Sequence, residues 1–137
     1  SAIPMQTICE PFIKRRAIRH LNKGRIIILA AGTGNPYFST DTAATLRAAE
    51  MNCEAIFKGT SVDGVYDSDP KENSSSKKFS TISYKKVLSE NLKVMDSSAI
   101  SLARDNSIPM VVFSILEKNA FEKAVKGQGS YTVITED

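Results

Sequence analysis

The sequence has no tryptophan, a single histidine (His20) and only two cysteines, Cys9 and Cys53. The cysteines lie in unrelated segments with neither zinc-ligand nor redox spacing, so neither a metal centre nor a disulfide framework is expected. They read as buried thiols of a reducing compartment. No apolar run approaches the length of a membrane span, and nothing has the layout of a signal peptide. The expectation is a cytoplasmic chain without a membrane partner. Aromatics are only 7% of the residues and are not interleaved with a basic stripe. The formal charge of +3 therefore suits an anionic small ligand and gives no ground for nucleic acid. There is no internal repeat. What is present, 137 residues that are 42% hydrophobic and 24% charged, suffices for one domain, 1–137, with a single core.

The most informative stretch runs from Ile26 to Asp41, IIILAAGTGNPYFSTD. Ile26, Ile27, Ile28 and Leu29, followed by Ala30 and Ala31, predict a strand buried on both faces. Gly32 and Gly34 permit backbone angles other residues avoid and let a ligand approach the main chain. Pro36 keeps Asn35 extended. Ser39, Thr40 and Asp41 offer oxygens to the first free N–H groups of a helix from Thr42 to about Met51. Strand, glycine loop and helix start together make an anion site, because unpaired amides and the positive end of a dipole converge there. A tight corner between strand and helix explains the same glycines, and the stretch alone leaves both readings open. No Gly-Lys-Ser/Thr follows, so it is not a Walker loop. Tyr37 stands where a dinucleotide fingerprint would need its third glycine.

Elsewhere the periodicity predicts a helix from about Met5 to Leu21 with a basic solvated face, stopping at Asn22-Lys23-Gly24. His20 reads as a residue at the helix C-terminus facing the dipole, not as a catalyst. Ala55–Phe57 predicts a strand joined to the first through one helix, a right-handed βαβ unit. Residues 71–78 (KENSSSKK) read as a polar loop. Helices are predicted over Ser83–Glu90 and Ser97–Asp105, the latter capped by Asp96. Strands follow at Ile108–Ile115 and Tyr131–Thr135, with a helix from Ala120 to Lys126 between them. The alternation predicts an α/β layered fold with a mainly parallel sheet. Both glycine-bearing loops leave the carboxyl ends of strands, where open α/β sheets bind ligands.

Three motifs go further: AGTGNPYFSTDTAA (30–44), KGTSVDGVYDSDP (58–70) and LKVMDSSAISLARDNSIPMVVF (92–113). In order and spacing they resemble the signature of bacterial UMP kinases in the amino-acid kinase superfamily, and the resemblance extends from about Glu10 to Thr132. It lies with the C-terminal part of such enzymes. The Lys-bearing strand and glycine-rich phosphate loop with which these kinases begin, their N-terminal part, are absent. The implied fold is a three-layer α/β/α sandwich, amino-acid kinase-like, and the implied reaction is transfer of the ATP γ-phosphoryl group to UMP.

The resemblance also implies roles. Thr33, Gly34, Asn35, Pro36, Tyr37, Phe38, Ser39 and Thr40 match the UMP-contacting loop, Ser39 replacing a usual threonine. Tyr37 and Phe38 would flank the acceptor pocket, or else pack beneath the loop. Asp41 is the catalytic candidate: the matching aspartate orients the catalytic lysine of the upstream part, and a helix cap explains it equally. Lys58, Thr60, Tyr66 and Asp69 match the ATP side. Asp96 matches an acid near the nucleotide but is already explained as a cap. Arg25 matches a position that contacts an allosteric nucleotide in some members, with neighbouring effector residues changed. Asp63-Gly64 reads as a structural turn. Magnesium would arrive with ATP, held by phosphates and water, with no dedicated protein site. The family commonly forms homohexamers. The chain alone is expected to bind ATP weakly and not to turn over. The alternatives are a non-catalytic nucleotide-binding module or another member of the superfamily; a Rossmann-like oxidoreductase is disfavoured by the absent third glycine.

Overall fold

The computed structural model describes residues 1–136. Its elements are α1 (Lys14–Asn22), α2 (Thr40–Glu50), β1 (Ile56–Thr60), β2 (Thr81–Ser83), α3 (Tyr84–Ser89), α4 (Ser97–Asp105), β3 (Met110–Ser114), α5 (Ala120–Val125) and β4 (Tyr131–Thr135). The four strands form one sheet in the order β1-β3-β4-β2. β1 pairs parallel with β3 and β2 parallel with β4, while β3 and β4 run antiparallel. The sheet is therefore mixed and mainly parallel.

Alternation along β1 and β3 decides the layers. Ile56 sits opposite Met110 and Lys58 opposite Val112, so these four side chains share one face. Ile56, Met110, Val112 and Ile134 join Ala48 of α2, Val87 of α3, and Ile100 and Ala103 of α4 in the main core. Phe57 and Phe113 point the other way and meet Phe121 of α5, with ring centroids 5.6 and 5.8 Å from the Phe121 ring. Helices thus cover both faces of the sheet.

The predicted strand over Ile26–Ala31 does not form. Residues 25–30 have no regular structure, and Ile26 and Ile28 are 96% and 90% exposed. Their β-branched composition suits a buried strand, but a strand requires a neighbour to satisfy its amides and carbonyls, and none of β1–β4 pairs with this run. One bond, Ala2 N–H to the Ala30 carbonyl at 3.0 Å, ties it down. The βαβ unit expected around α2 is consequently not made. The first helix is also shorter than its periodicity predicts, beginning at Lys14 behind an extended Ile13 that provides no side-chain cap. Pro11 lacks a donor and biases Glu10 away from helix, leaving Met5–Cys9 as a single turn.

α2, α4 and β4 lie within a residue or two of expectation, and β1 begins at Ile56 but runs on to Thr60. β2, only three residues long, has no sequence signal of its own and arises because its edge matches that of β4.

Candidate functional site

The N-terminus of α2 is built as its sequence requires. Ser39 Oγ accepts from the backbone N–H of Asp41 at 3.1 Å and of Thr42 at 3.3 Å, satisfying two of the helix's free donors. This fixes Asp41 in the first turn. Lys58 lies two residues beyond Ile56 on β1, so its side chain leaves the sheet on the face carrying α2. Its ammonium donates to Asp41 Oδ1. Both side chains are mostly withdrawn from solvent, at 28% and 21% exposure. Partial desolvation strengthens such a charge-assisted bond and narrows its geometry. The first two motifs therefore meet through one ion pair. The third motif joins through Thr42 Oγ1, 2.9 Å from Ser98 Oγ on α4.

The loop before α2 is tightly wound. Ala31, Gly32, Gly34 and Tyr37 all have positive φ, between 61° and 77°, a region costly for alanine and tyrosine. Thr33 Oγ1 accepts from the Asn35 N–H at 3.1 Å. Tyr37 is fully exposed and Phe38 is 55% exposed. The Tyr37 ring therefore does not pack beneath the loop, whereas Phe38 keeps nearly half of its surface covered.

Beyond the carboxyl end of β1 lies a cavity of about 410 Å³, within the range of small-molecule sites. Thr60, Tyr66, Asp69, Pro70, Asn91 and Lys93 are among the residues that line it. Three of the four residues matched to the ATP side thus line one space. The fourth, Lys58, stands outside the lining, held by Asp41. Asp69 Oδ1 accepts from the Lys71 N–H at 2.8 Å, the turn expected of Asp-Pro. Asp96 is at the head of α4 but makes no side-chain capping bond. Asp96 thus takes the N-cap position expected of it without the side-chain bond; its carboxylate is exposed and lies outside the cavity lining.

Asp63 is the residue that sequence reasoning undervalued. Its Oδ1 accepts from the Tyr66 hydroxyl at 2.7 Å; its Oδ2 accepts from Lys78 Nζ at 2.9 Å and Ser130 Oγ at 2.6 Å. Burial works to raise this carboxyl's pKa, but the bonds from Ser130, Lys78 and Tyr66 and the Lys78 charge outweigh it, holding the group well below the usual carboxylate range. The Tyr66 hydroxyl is raised in turn, chiefly by its bond to Asp63 and further by burial and the carboxylate charge. Lys78 and Ser130 are 15 and 67 residues away, so no local pattern could have announced them. Gly64 is structural, as expected, but through close approach: a Cβ there would lie 2.5 Å from Thr132 Oγ1.

His20 lies in the last turn of α1, as expected, and makes side-chain contacts besides. Arg25 Nη1 lies 2.8 Å from its Nδ1, and Glu10 Oε2 lies 3.1 Å from its Nε2. Guanidinium only donates, so Nδ1 accepts and Nε2–H donates to the carboxylate. The ring bridges Glu10 and Arg25. These three residues border a second cavity of about 370 Å³ against Ile26–Ala30. Neither cavity is lined by any of Thr33 to Thr40. No group of three or more His, Cys, Asp or Glu side chains able to hold a metal occurs among the described residues. No helix among them is long and apolar enough to cross a membrane.

Residues 4–114 match the model of the amino acid kinase family. The chain belongs to the amino acid kinase family. Among its relatives there, the uridylate kinase of Zymomonas mobilis subsp. mobilis is 59% identical over 134 residues, covering 98% of this chain and 55% of that protein. The uridylate kinase of Wolbachia pipientis wMel is 60% identical over 136 residues, covering 99% and 55%. The crystal structure of UMP kinase from Bacillus anthracis superposes with a TM-score of 0.95 at 39% identity, over 99% of this chain and 56% of that one. That from Ureaplasma parvum gives 0.94 at 37% identity, over 98% and 58%. The chain spans about 55% of the length of these curated relatives. The mixed, mainly parallel sheet with helices on both faces matches the amino-acid kinase three-layer sandwich of these structural neighbours.

Proposed function

We propose that the chain is the C-terminal, ATP-side part of a UMP kinase, which transfers the ATP γ-phosphoryl group to UMP and so serves pyrimidine nucleotide synthesis. The observation carrying this reading is the Asp41–Lys58 ion pair, which joins the acceptor-side loop to the strand that opens the ATP-side loop. In the reaction an oxygen of the UMP phosphate forms a bond to the γ-phosphorus, the bond from that phosphorus to the β–γ bridging oxygen breaks, and UDP and ADP result. Protein groups need only align the two anions and absorb charge. Thr33 to Thr40 would hold UMP, with the loop amides and α2 dipole facing its phosphate and Tyr37 and Phe38 beside the acceptor. Thr60, Tyr66 and Asp69 would hold ATP in the 410 Å³ cavity.

Lys58 would meet the ATP phosphates. Asp41 cannot itself stabilise a migrating phosphoryl group, since both are anionic; its role is to hold an ammonium in place. The resemblance assigns it a lysine of the upstream part; here the ammonium it holds is that of Lys58. Magnesium would enter with ATP, held mainly by phosphates and water, and would neutralise phosphate charge. The full protein would assemble as a homohexamer in the cytoplasm.

The test is UDP formation from magnesium-ATP, with UMP and CMP as competing acceptors, for the full reading-frame product and for this chain. Turnover of UMP by the longer protein, with this chain silent, supports the reading. Silence from both favours a nucleotide-binding module. Asp41→Asn in the complete enzyme is expected to lower UDP formation by at least 100-fold while leaving its circular dichroism unchanged. Near-normal turnover would overturn the role given to Asp41.

A further inference from the structure

The loop after β1 is anchored twice, in different ways. Backbone anchors come first: the Val65 N–H donates to Thr132 Oγ1 at 2.9 Å, Thr132 Oγ1 donates to the Phe79 carbonyl at 2.5 Å, and the Phe79 N–H donates to the Val65 carbonyl at 2.9 Å. These bonds do not involve the side chain at position 63. The second anchor is Asp63 alone, and its two oxygens are divided. Oδ2 takes Lys78 and Ser130, fixing the carboxylate to the neighbouring strand segment and to the start of β4; Oδ1 is left for the Tyr66 hydroxyl. Tyr66 lines the 410 Å³ cavity, whereas Asp63 is not among the lining residues.

We propose that Asp63, held by Lys78 and Ser130, is a positioning residue that fixes the Tyr66 ring as a wall of the cavity and so sets the affinity for the adenine nucleotide without touching it. This rests on the ATP reading of the cavity and deepens it. A phenol ring tethered at its hydroxyl loses its freedom before the ligand arrives, and ordering completed in advance is not subtracted from binding. The Lys78 ammonium neutralises Asp63, so the tether adds no net negative charge beside a site for an anionic ligand. Only a carboxylate meets both demands. An amide has a single acceptor oxygen: turned toward Tyr66 it presents NH₂ to the Lys78 ammonium, and turned toward Lys78 it presents NH₂ to the phenol.

The experiment is calorimetric titration of the full reading-frame product with magnesium-ATP, comparing wild type, Asp63→Asn, Ser130→Ala and Tyr66→Phe. Asp63→Asn is expected to raise Kd roughly tenfold, and Ser130→Ala to raise it by a smaller factor. Alkaline absorbance titration of the tyrosines supplies a readout that a purely structural role would not move. The phenol removed by Tyr66→Phe should titrate at lower pH in Asp63→Asn than in wild type. If Asp63→Asn does not fold, Tyr66→Phe keeps the carboxylate anchors, severs only the tether, and should still weaken binding. Unchanged Kd in the folded variants, with wild type binding, overturns the positioning role alone. A wild-type full reading-frame product that binds no magnesium-ATP overturns the ATP reading and this role with it.

Discussion

Tyr84 shows how a single hydroxyl couples the core to pH. The residue is 1% exposed, and its hydroxyl donates to the Ile108 carbonyl. Burial, and then the Glu136 charge, push its phenol up to about 12. With a folded pKa above the unfolded value of about 10, its contribution is complete below pH 10 and is lost as pH rises toward 12. Tyr84→Phe should cost about 1–3 kcal/mol at pH 8, because a buried carbonyl loses its partner. Urea unfolding at pH 8 and at pH 11 should find the gap between variant and wild type smaller at the higher pH. Asp63 has the opposite sign. Its depressed pKa makes the contribution present above about pH 4 and lost as pH falls. Acid unfolding of wild type should therefore steepen below pH 4, and Asp63→Asn should flatten that limb. Residue roles that rest on neighbours in sequence, such as the Ser39 cap, were legible. Those that rest on remote partners were not: nothing around residue 63 points to Ser130, and nothing around Arg47 points to the Phe12 ring, 3.8 Å from its guanidinium.

Among the elements, α2, α4 and β4 follow their sequence, whereas the Ile26–Leu29 run and β2 are decided by whether a neighbouring strand lies beside them. α2 has Ser39 at its head and Thr42, Ala43, Thr45 and Ala48 buried; local signal and tertiary packing agree. The Ile26–Leu29 run has the composition of a central strand without a partner, and composition alone cannot create one. β2 is the converse, a strand made by its neighbour. The 61–66 loop illustrates a third case, in which a residue is fixed by what lies against it. A Cβ at position 64 would lie 2.5 Å from Thr132 Oγ1 and 2.9 Å from Lys78 Cδ. Thr132 is fully buried and already bonded on both sides, so it cannot yield. Gly64→Ala should cost about 1–3 kcal/mol, measured by thermal unfolding, and should loosen the loop together with the start of β4.

Across the whole molecule, apolar surface is distributed unevenly. The core gathers between the sheet and α2–α4, while Ile26 and Ile28 stand almost wholly in solvent on a run with open backbone groups. Unpaired apolar runs of this kind template association between chains. Replacing both isoleucines with lysine should reduce light scattering of concentrated chain and leave the melting temperature within a degree or two, since neither side chain contributes to the core. The sheet order adds a consequence for motion. Two parallel pairs, β1–β3 and β2–β4, are stitched by one antiparallel seam in which Met110 faces Ile134 and Val112 faces Thr132. All four of these side chains are essentially sealed from water. Amide protons along that seam should be the last to exchange with deuterium, since releasing them requires the two halves to part, whereas those of β1 and β2 can escape by fraying at an edge.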